Sequence, residues 1–413
     1  MKRTLTLATL ALATLALSHA QQSALPGDPF SIRKTWQIGG DGTWGALAID
    51  PAAQQLFIAH GPVLQVVDLE TGTLTTQIPV QGSPVPDTPN PEDQPLNEAH
   101  GIALDPSGQY GFVTVGRNGS LQVFNRSTLS IVARVPTPPF PQAVVYEPET
   151  QLLFVLCTPP ATTAPSRLPH PPISQPLVKS QISVFETTHW TRLGDILVRG
   201  SLGAALADSR GHLFINITDQ ASILTFDAAI IQSALQHQPP QTTTAQPVLD
   251  WTSQSPSLEG HPSILHTGCA KSSGMALDPL HDRLFLACSN QKLAVLNSAT
   301  GASVATLSLS PGTNALAFDP EHALLFAATG NALGTLTIFR QDVNDTYSLI
   351  QTLPTQPRAN TLAVNPSTGT VYLVADITGF DLSHPAAPRK PAALPVINAS
   401  PVQDSFRVLV VGQ

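Results

Sequence analysis

The sequence predicts an all-β fold, a seven-bladed β-propeller of four-stranded antiparallel blades closed by an N-terminal strand in the last blade. Three observations carry that prediction. First, an apolar run ends seven times at an acidic or amide residue, usually followed by proline, and then restarts. These turns are Asp50-Pro51, Asp105-Pro106, Glu147-Pro148, Asp208-Ser209, Asp278-Pro279, Asp319-Pro320 and Asn365-Pro366. Repeats of roughly 40 to 50 residues built from short strands are the signature of propeller blades. Second, the residues flanking each turn fall into columns of fixed size and polarity. Third, the two ends of the chain complement each other.

The first strand of each unit leads into the turn. Four residues before the turn stand Ala46, Gly101, Ala143, Ala204, Gly274, Ala315 and Thr361, and two before stand Ala48, Ala103, Val145, Leu206, Ala276, Ala317 and Ala363. Such small side chains fit an innermost strand crowded around a central axis. The residues between them, such as Leu47, Ile102 and Met275, alternate at period two and are expected to pack between blades. The second strand carries a Leu-Phe core at Leu56-Phe57, Leu153-Phe154, Leu213-Phe214, Leu284-Phe285 and Leu325-Phe326, with Val371-Tyr372 a near copy. Its nearly continuous apolar run fits a strand covered on both faces. A third strand follows, as at Leu121-Gln122-Val123-Phe124, and a fourth, as from Ser303 to Leu309.

The last unit has two strands over Thr361 to Ala375 and a third over Phe406 to Val411, after which the chain stops without a fourth. Ahead of the first unit, Ile32 to Ile38 reads like the fourth strand of the other repeats. Placing it in the last blade ties both ends into one sheet and leaves no unpaired edge there. The domain plan is thus a leader over 1–20, an N-terminal extension over 21–30, and one propeller over 31–413. Insertions are expected near 81–99, 158–180, 227–272 and 376–404.

Lys2 and Arg3 precede an apolar run, Leu5 to Leu17, which closes on Ser18-His19-Ala20. That is the pattern of a secretory signal peptide cut after Ala20, so a periplasmic or secreted protein is expected. No later segment approaches the roughly 20 apolar residues of a membrane-spanning helix, and membrane insertion is not expected. The net charge is −8 and no basic run occurs. A nucleic-acid partner is excluded on that ground, because phosphate affinity comes from clustered Lys and Arg. Charged residues are only 12% of the chain against 39 prolines, a composition of strands and stiff connections with few helices.

Cys157, Cys269 and Cys288 are an odd number for a compartment that permits disulfides. Cys269 and Cys288 flank one hairpin. Simple pairing about its turn sets Cys288 opposite Ser273, several residues from Cys269, so both a disulfide and three buried thiols remain open.

The repeats resemble the YVTN-repeat β-propellers of exported bacterial and archaeal proteins. Leu56-Phe57-Ile58-Ala59 through Val66-Val67-Asp68-Leu69-Glu70-Thr71-Gly72-Thr73-Leu74 carries the likeness, as does Leu284 to Leu309 with its Asn297-Ser298-Ala299-Thr300-Gly301 turn. It weakens in the third, fourth and seventh units. The resemblance implies a rigid scaffold that presents loops and leaves activity open. The blade pattern is also similar to that of the lactonase-type seven-bladed propellers, which would imply acid–base chemistry on sugar lactones.

Connections in a propeller alternate between its two faces. Four long segments, 81–99, 158–180, 253–272 and 376–404, are expected on one face, with only 227–246 opposite. On that same face, five residues before each turn, stand Gly45, His100, Gln142, Gly203, Ser273, Asn314 and Asn360. They are expected to ring the mouth of the central channel. His100, Gln142, Ser273, Asn314 and Asn360 are therefore the candidate ligand-binding residues, against the alternative of a channel holding only water.

His60, His100, His170, His261, His266 and His384 lean to this face without the spacing of a metal site, and neither metal nor cofactor is expected. Gly40-Asp41-Gly42-Thr43-Trp44-Gly45 matches a dinucleotide pattern by letters but joins two strands with no helix to meet phosphate. No GxSxG elbow and no CxxCH occur.

Two functional classes fit. One is a non-catalytic exported propeller, a monomer, binding a partner protein or a small polar ligand on its insertion-rich face. The other is a lactonase-type hydrolase, for which an acid or base must stand beside His100. Asp87, Glu92, Asp93, Glu98, Asp376 and Asp381 are the carboxylates placed to do so.

Overall fold

The computed structural model describes residues 28–81, 98–116, 119–160, 179–237, 246–252, 262–269, 271–331, 333–380 and 399–413. They form a closed ring of seven antiparallel sheets. Counting strands outward from the axis, blade 1 is Trp44–Asp50, Gln55–His60, Val63–Asp68 and Leu74–Pro79, and blade 2 runs from Ala99–Leu104 to Ser130–Pro136. Blade 3 begins with Pro141–Glu147 and Leu152–Cys157 and continues through Lys179–Glu186 to Arg192–Arg199. Blade 4 comprises Leu202–Ala207, His212–Ile217, Ser222–Asp227 and Ser263–His266. Blade 5 spans Ser272–Asp278 to Ser303–Ser308, and blade 6 Thr313–Asp319 to Tyr347–Pro354. Blade 7 takes Thr361–Asn365, Thr370–Ala375 and Arg407–Gly412 from the C-terminal end and its fourth strand, Ser31–Gln37, from the N-terminal end.

The ring closes where the two ends meet. Ser31–Gln37 pairs with Arg407–Gly412 from Ser31↔Gly412 to Gln37↔Arg407, with one irregularity between Ile32 and Lys34. Trp36 packs on Tyr372 across this sheet. Innermost strands of neighbouring blades touch all the way round, blade 7 against blade 1 included.

The core lies between blades. The Leu-Phe column of the second strands is fully buried, with Phe57, Phe154, Phe285 and Phe326 all at 0% exposure. Each such ring stabilises the fold by about 1.5–3 kcal/mol relative to exposure. Phe57 of blade 1, for example, meets Phe124 of blade 2 with ring centroids 5.2 Å apart. The small-residue columns have a different cause from the one expected. They face the next blade's backbone rather than the channel: a Cβ on Gly101 would lie 2.8 Å from Ala143 Cα, and one on Gly274 2.7 Å from the Asn314 carbonyl oxygen.

Every turn acid is buried and folds back on its own turn. Asp50 Oδ1 accepts from the Ala52 and Ala53 amides, Glu147 from Glu149 and Thr150, and Asp319 from Glu321 and His322. Asx-type turns of this kind suit the Asp-Pro sequence, since proline has no N–H to satisfy.

Three features depart from the expected plan. Ser263–His266 is the fourth strand of blade 4, so the chain from 228 to 262 falls between that blade's third and fourth strands in sequence. This strand carries little sequence signal, being four residues long and burying only Leu265. Blade 3 also gains a fifth strand, Val248–Asp250, which pairs parallel to Arg192–Arg199. A helix, Ala228–His237, fills the space between, burying Ala228, Ile231 and Leu235 at helical spacing. Asp227 caps it, accepting from the Ala229 and Ile230 amides.

Cys269 and Cys288 form a disulfide with Cα atoms 5.2 Å apart. A register shift between Ser272 and Met275 places Cys288 opposite Ser272 rather than Ser273 and brings the two cysteines within reach. Cys157 remains a buried thiol, pushed up to about 12 chiefly by burial.

Candidate functional site

The face opposite the buried turn acids carries the starts of the seven innermost strands. Gly45, His100, Gln142, Gly203, Ser273 and Asn314 each occupy the second position of such a strand, and Asn360 directly precedes the seventh. Equivalent positions in consecutive blades of a closed ring border the channel mouth. In six blades the pairing with the second strand breaks here: the register shifts between Trp44 and Leu47, Ala99 and Ile102, Pro141 and Ala143, Leu202 and Ala205, Ser272 and Met275, and Thr313 and Ala315. A bulge frees one residue from the ladder and re-aims it. Six of the seven mouth residues are so freed, whereas Asn360 stands just ahead of a strand whose register is regular.

Their surroundings differ. Gln142 and Asn314 are exposed and their side chains take no hydrogen bond among the described residues. Ser273 is exposed, but its hydroxyl donates to the Thr313 carbonyl at 2.7 Å and ties blade 5 to blade 6. Asn360 is half-buried, with its Cβ where a side chain on Gly330 would stand. His100 is half-buried, and its carbonyl closes on Gly45, where a Cβ would lie 2.3 Å from that oxygen. Glycine is required at Gly45 by this approach. Burial lowers the His100 imidazole below its ordinary value, and the Glu98 carboxylate opposes that shift. Glu98 is thus the one named carboxylate that the described residues bring beside His100. Asp87, Glu92, Asp93, Asp381, His170, His261 and His384 lie outside the described residues.

Beside Ser273, a hollow of about 400 Å³ opens between blades 4 and 5, lined by Ser201, Thr218, Asp219, Lys271, Ser289 and the mouth strand itself. Asp219 accepts from the Ser201 amide and hydroxyl, and Thr218 donates to the Ser201 carbonyl. The Ser201, Thr218 and Ser273 hydroxyl protons are committed to protein acceptors, which leaves oxygen lone pairs and the Lys271 ammonium for a ligand. These residues sit in short turns between strands, where single polar residues raise no sequence signal.

A second group lies across the closure between blades 7 and 1. His60 is buried, stacked on Phe406 at 3.9 Å between ring centroids, with Nδ1 3.1 Å from Gln65 Oε1. Phe406 meets Trp44, and the Arg358 guanidinium lies 5.0 Å over the Trp44 ring. Asp376 does not reach toward His100. It is buried and ion-paired with Arg358 Nε at 2.9 Å, a contact whose angles give neither carboxylate oxygen an aligned hydrogen bond. His266, at the end of the outer strand of blade 4, is exposed. Among the described residues no three His, Cys, Asp or Glu side chains cluster as metal ligands do.

No family model matches the chain, and no curated protein matches it in sequence. Two solved structures are similar in fold. U3-55K has a TM-score of 0.59 and 10% identity over 92% of this chain and 98% of its own. The WD40 repeats of RRP9 give 0.59 and 9% over 93% and 97%. At such identity the likeness is one of fold: this chain is a seven-bladed propeller of the same general architecture.

Proposed function

We propose that this protein is an exported, non-catalytic propeller that holds a small polar ligand or a polar loop of a partner protein at the mouth of its channel. The observation that carries this reading is the set of bulges that turns the polar side chains of His100, Gln142, Ser273 and Asn314 out of the ladder in four of the seven blades. Bulges cluster where a sheet must re-aim a side chain for use. The hydroxyl-lined hollow beside Ser273 supports it, being large enough for a sugar-sized molecule. Long connections leave the same face after 80, 158 and 376, and a rigid scaffold carrying long loops is a common basis for recognition. Export rests on the leader-like first 20 residues, and the Cys269–Cys288 disulfide is in keeping with an oxidising compartment.

The lactonase reading finds one specific support, the Glu98 carboxylate near a half-buried His100. One experiment separates the two. Purified protein is titrated calorimetrically with a panel of sugars, sugar acids and sugar lactones, while lactone opening is followed by proton release. Binding without turnover, weakened at least tenfold in a Gln142→Ala/Asn314→Ala variant, supports the scaffold. Turnover abolished by His100→Ala moves the assignment to the enzyme. A double variant that binds every ligand as the parent does removes the mouth as the site.

A further inference from the structure

On the opposite face, between blades 4 and 5, lies a groove of about 500 Å³ that the channel-mouth reading does not use. Its blade 4 wall follows from strand register. His212 and Asp227 are directly paired across the second and third strands, and Phe214 pairs with Thr225 two residues further along, so the four alternate onto one surface. Directly opposed side chains stand about 5 Å apart at Cβ. Blade 5 contributes Asp282 and Ser298 from its turns, and Ile230 of the helix, half-exposed, closes the outer end.

The polar groups of this groove are partnered unevenly. Asp208 is buried behind His212 and accepts from its Nδ1 at 2.9 Å. In the neutral form of the ring this contact holds the proton on Nδ1 and leaves Nε2 as an acceptor. Arg210 bridges Asp208 and Asp282 across the two blades, so its charge is already matched. Asp227 uses only Oδ1 to cap the helix, and no donor among the described residues reaches Oδ2. The helix N-terminus is thereby occupied and holds no anion. Ser298 is only 4% exposed, yet its hydroxyl makes no hydrogen bond among the described residues, and only its amide is used, on the Asp282 carbonyl. Three carboxylates against one guanidinium leave the groove acidic.

We infer that this groove is a binding site for a primary amine carried on an apolar body. An ammonium has three N–H donors. The groove offers three unfilled acceptors, Asp227 Oδ2, His212 Nε2 and Ser298 Oγ, beside the apolar surfaces of Phe214 and Ile230. The Ser298 hydroxyl, engaged by no described residue, adds a neutral acceptor on the wall facing the Asp227 carboxylate that an ammonium would pair with. The inference is independent of the channel mouth, which lies on the other face.

The test is calorimetric titration of the full chain with phenethylamine, 2-phenylethanol and 3-phenylpropanoate. The amine is expected to bind at least tenfold more tightly than the alcohol, and the carboxylate to give no heat. Asp227→Asn retains a capping oxygen and is expected to keep the melting temperature while weakening the amine at least tenfold. Ser298→Ala, which removes only an unbonded hydroxyl, is expected to weaken it about threefold. Equal affinity for amine and alcohol overturns the proposal. So does an amine affinity unchanged in a folded Asp227→Asn protein, which would mark general attraction to an acidic chain.

Discussion

At the residue scale, the turn acids do more than shape their own hairpins. Asp50 is ion-paired with Arg126 of the next blade, Glu147 accepts from the Gly211 amide of the next, and Asp278 accepts from Gln341 Nε2 of the next at 3.1 Å. One carboxylate thus serves a local turn and fastens a neighbouring sheet, with separate oxygens in Asp50 and with Oε1 shared between the two tasks in Glu147. Asp278→Ala removes the Leu280 and His281 turn bonds and strands Gln341. It should cost about 2–4 kcal/mol in urea unfolding, the range for buried charge-assisted bonds lost together. Five of the seven turns hold a left-handed residue four places on, and in blade 6 it is Ala323 at φ 52°. Ala323→Gly relieves a strain of about 1–2 kcal/mol against a backbone-entropy loss of about 0.5–1, so a small gain in stability is expected. His60 gives a pH dependence of defined sign. Burial lowers its folded value against Gln65, Asp41 and Asp376, which oppose the shift. Below about pH 6.5 the unfolded chain takes up the proton first. Stability should therefore fall as pH drops through that window, and His60→Gln should flatten the melting-temperature slope between pH 7 and 5. The Asp-Pro turns were legible in the sequence because each is a contact within five residues. Arg126 and Gln341 were not, since their acids lie 76 and 63 positions away.

At the element scale, the same division holds between what is local and what the ring imposes. The Leu-Phe second strands announce themselves because both faces are buried, and period-two columns follow the first strands. The bulges leave no such trace: they arise because seven first strands converge on one axis and their starts must diverge from the second strands. The positions of His100, Gln142 and Asn314 could be aligned from the turns, whereas their release from the ladder could not. The disulfide depends on that shift too, for without it Cys288 stands one residue further from Cys269. It closes a loop with a sequence separation of 19, for which chain entropy assigns about 3 kcal/mol. Cys269→Ser/Cys288→Ser should lower unfolding free energy by about 2–3 kcal/mol, and reductant should do the same to the parent while leaving the double variant unmoved. Cys157, buried and with its thiol raised, should resist alkylation until the chain unfolds.

At the scale of the whole molecule, stability depends on a joint between residues about 300 or more apart in sequence. Gly40 and Gln37 bond to Asp404, Ser31–Gln37 supplies an entire strand, and Phe30 is held in blade 6 by paired bonds between its backbone and the Gln351 amide. Phe30 also packs edge-on against Phe326, so the segment fastens blade 6 as well as blade 7. Without it, the edge of Arg407–Gly412 loses its partner, the Trp36–Tyr372 and Phe30–Phe326 contacts vanish, and a strand edge is opened to other chains. A chain starting at residue 39 should therefore melt well below the parent and aggregate near its transition. Supplying residues 28–38 as a separate peptide should restore much of the lost melting temperature, because the groove between Arg407–Gly412 and blade 6 is otherwise complete. A truncated protein that melts with the parent would mean that the blades hold together through their innermost strands and that the terminal strand is dispensable.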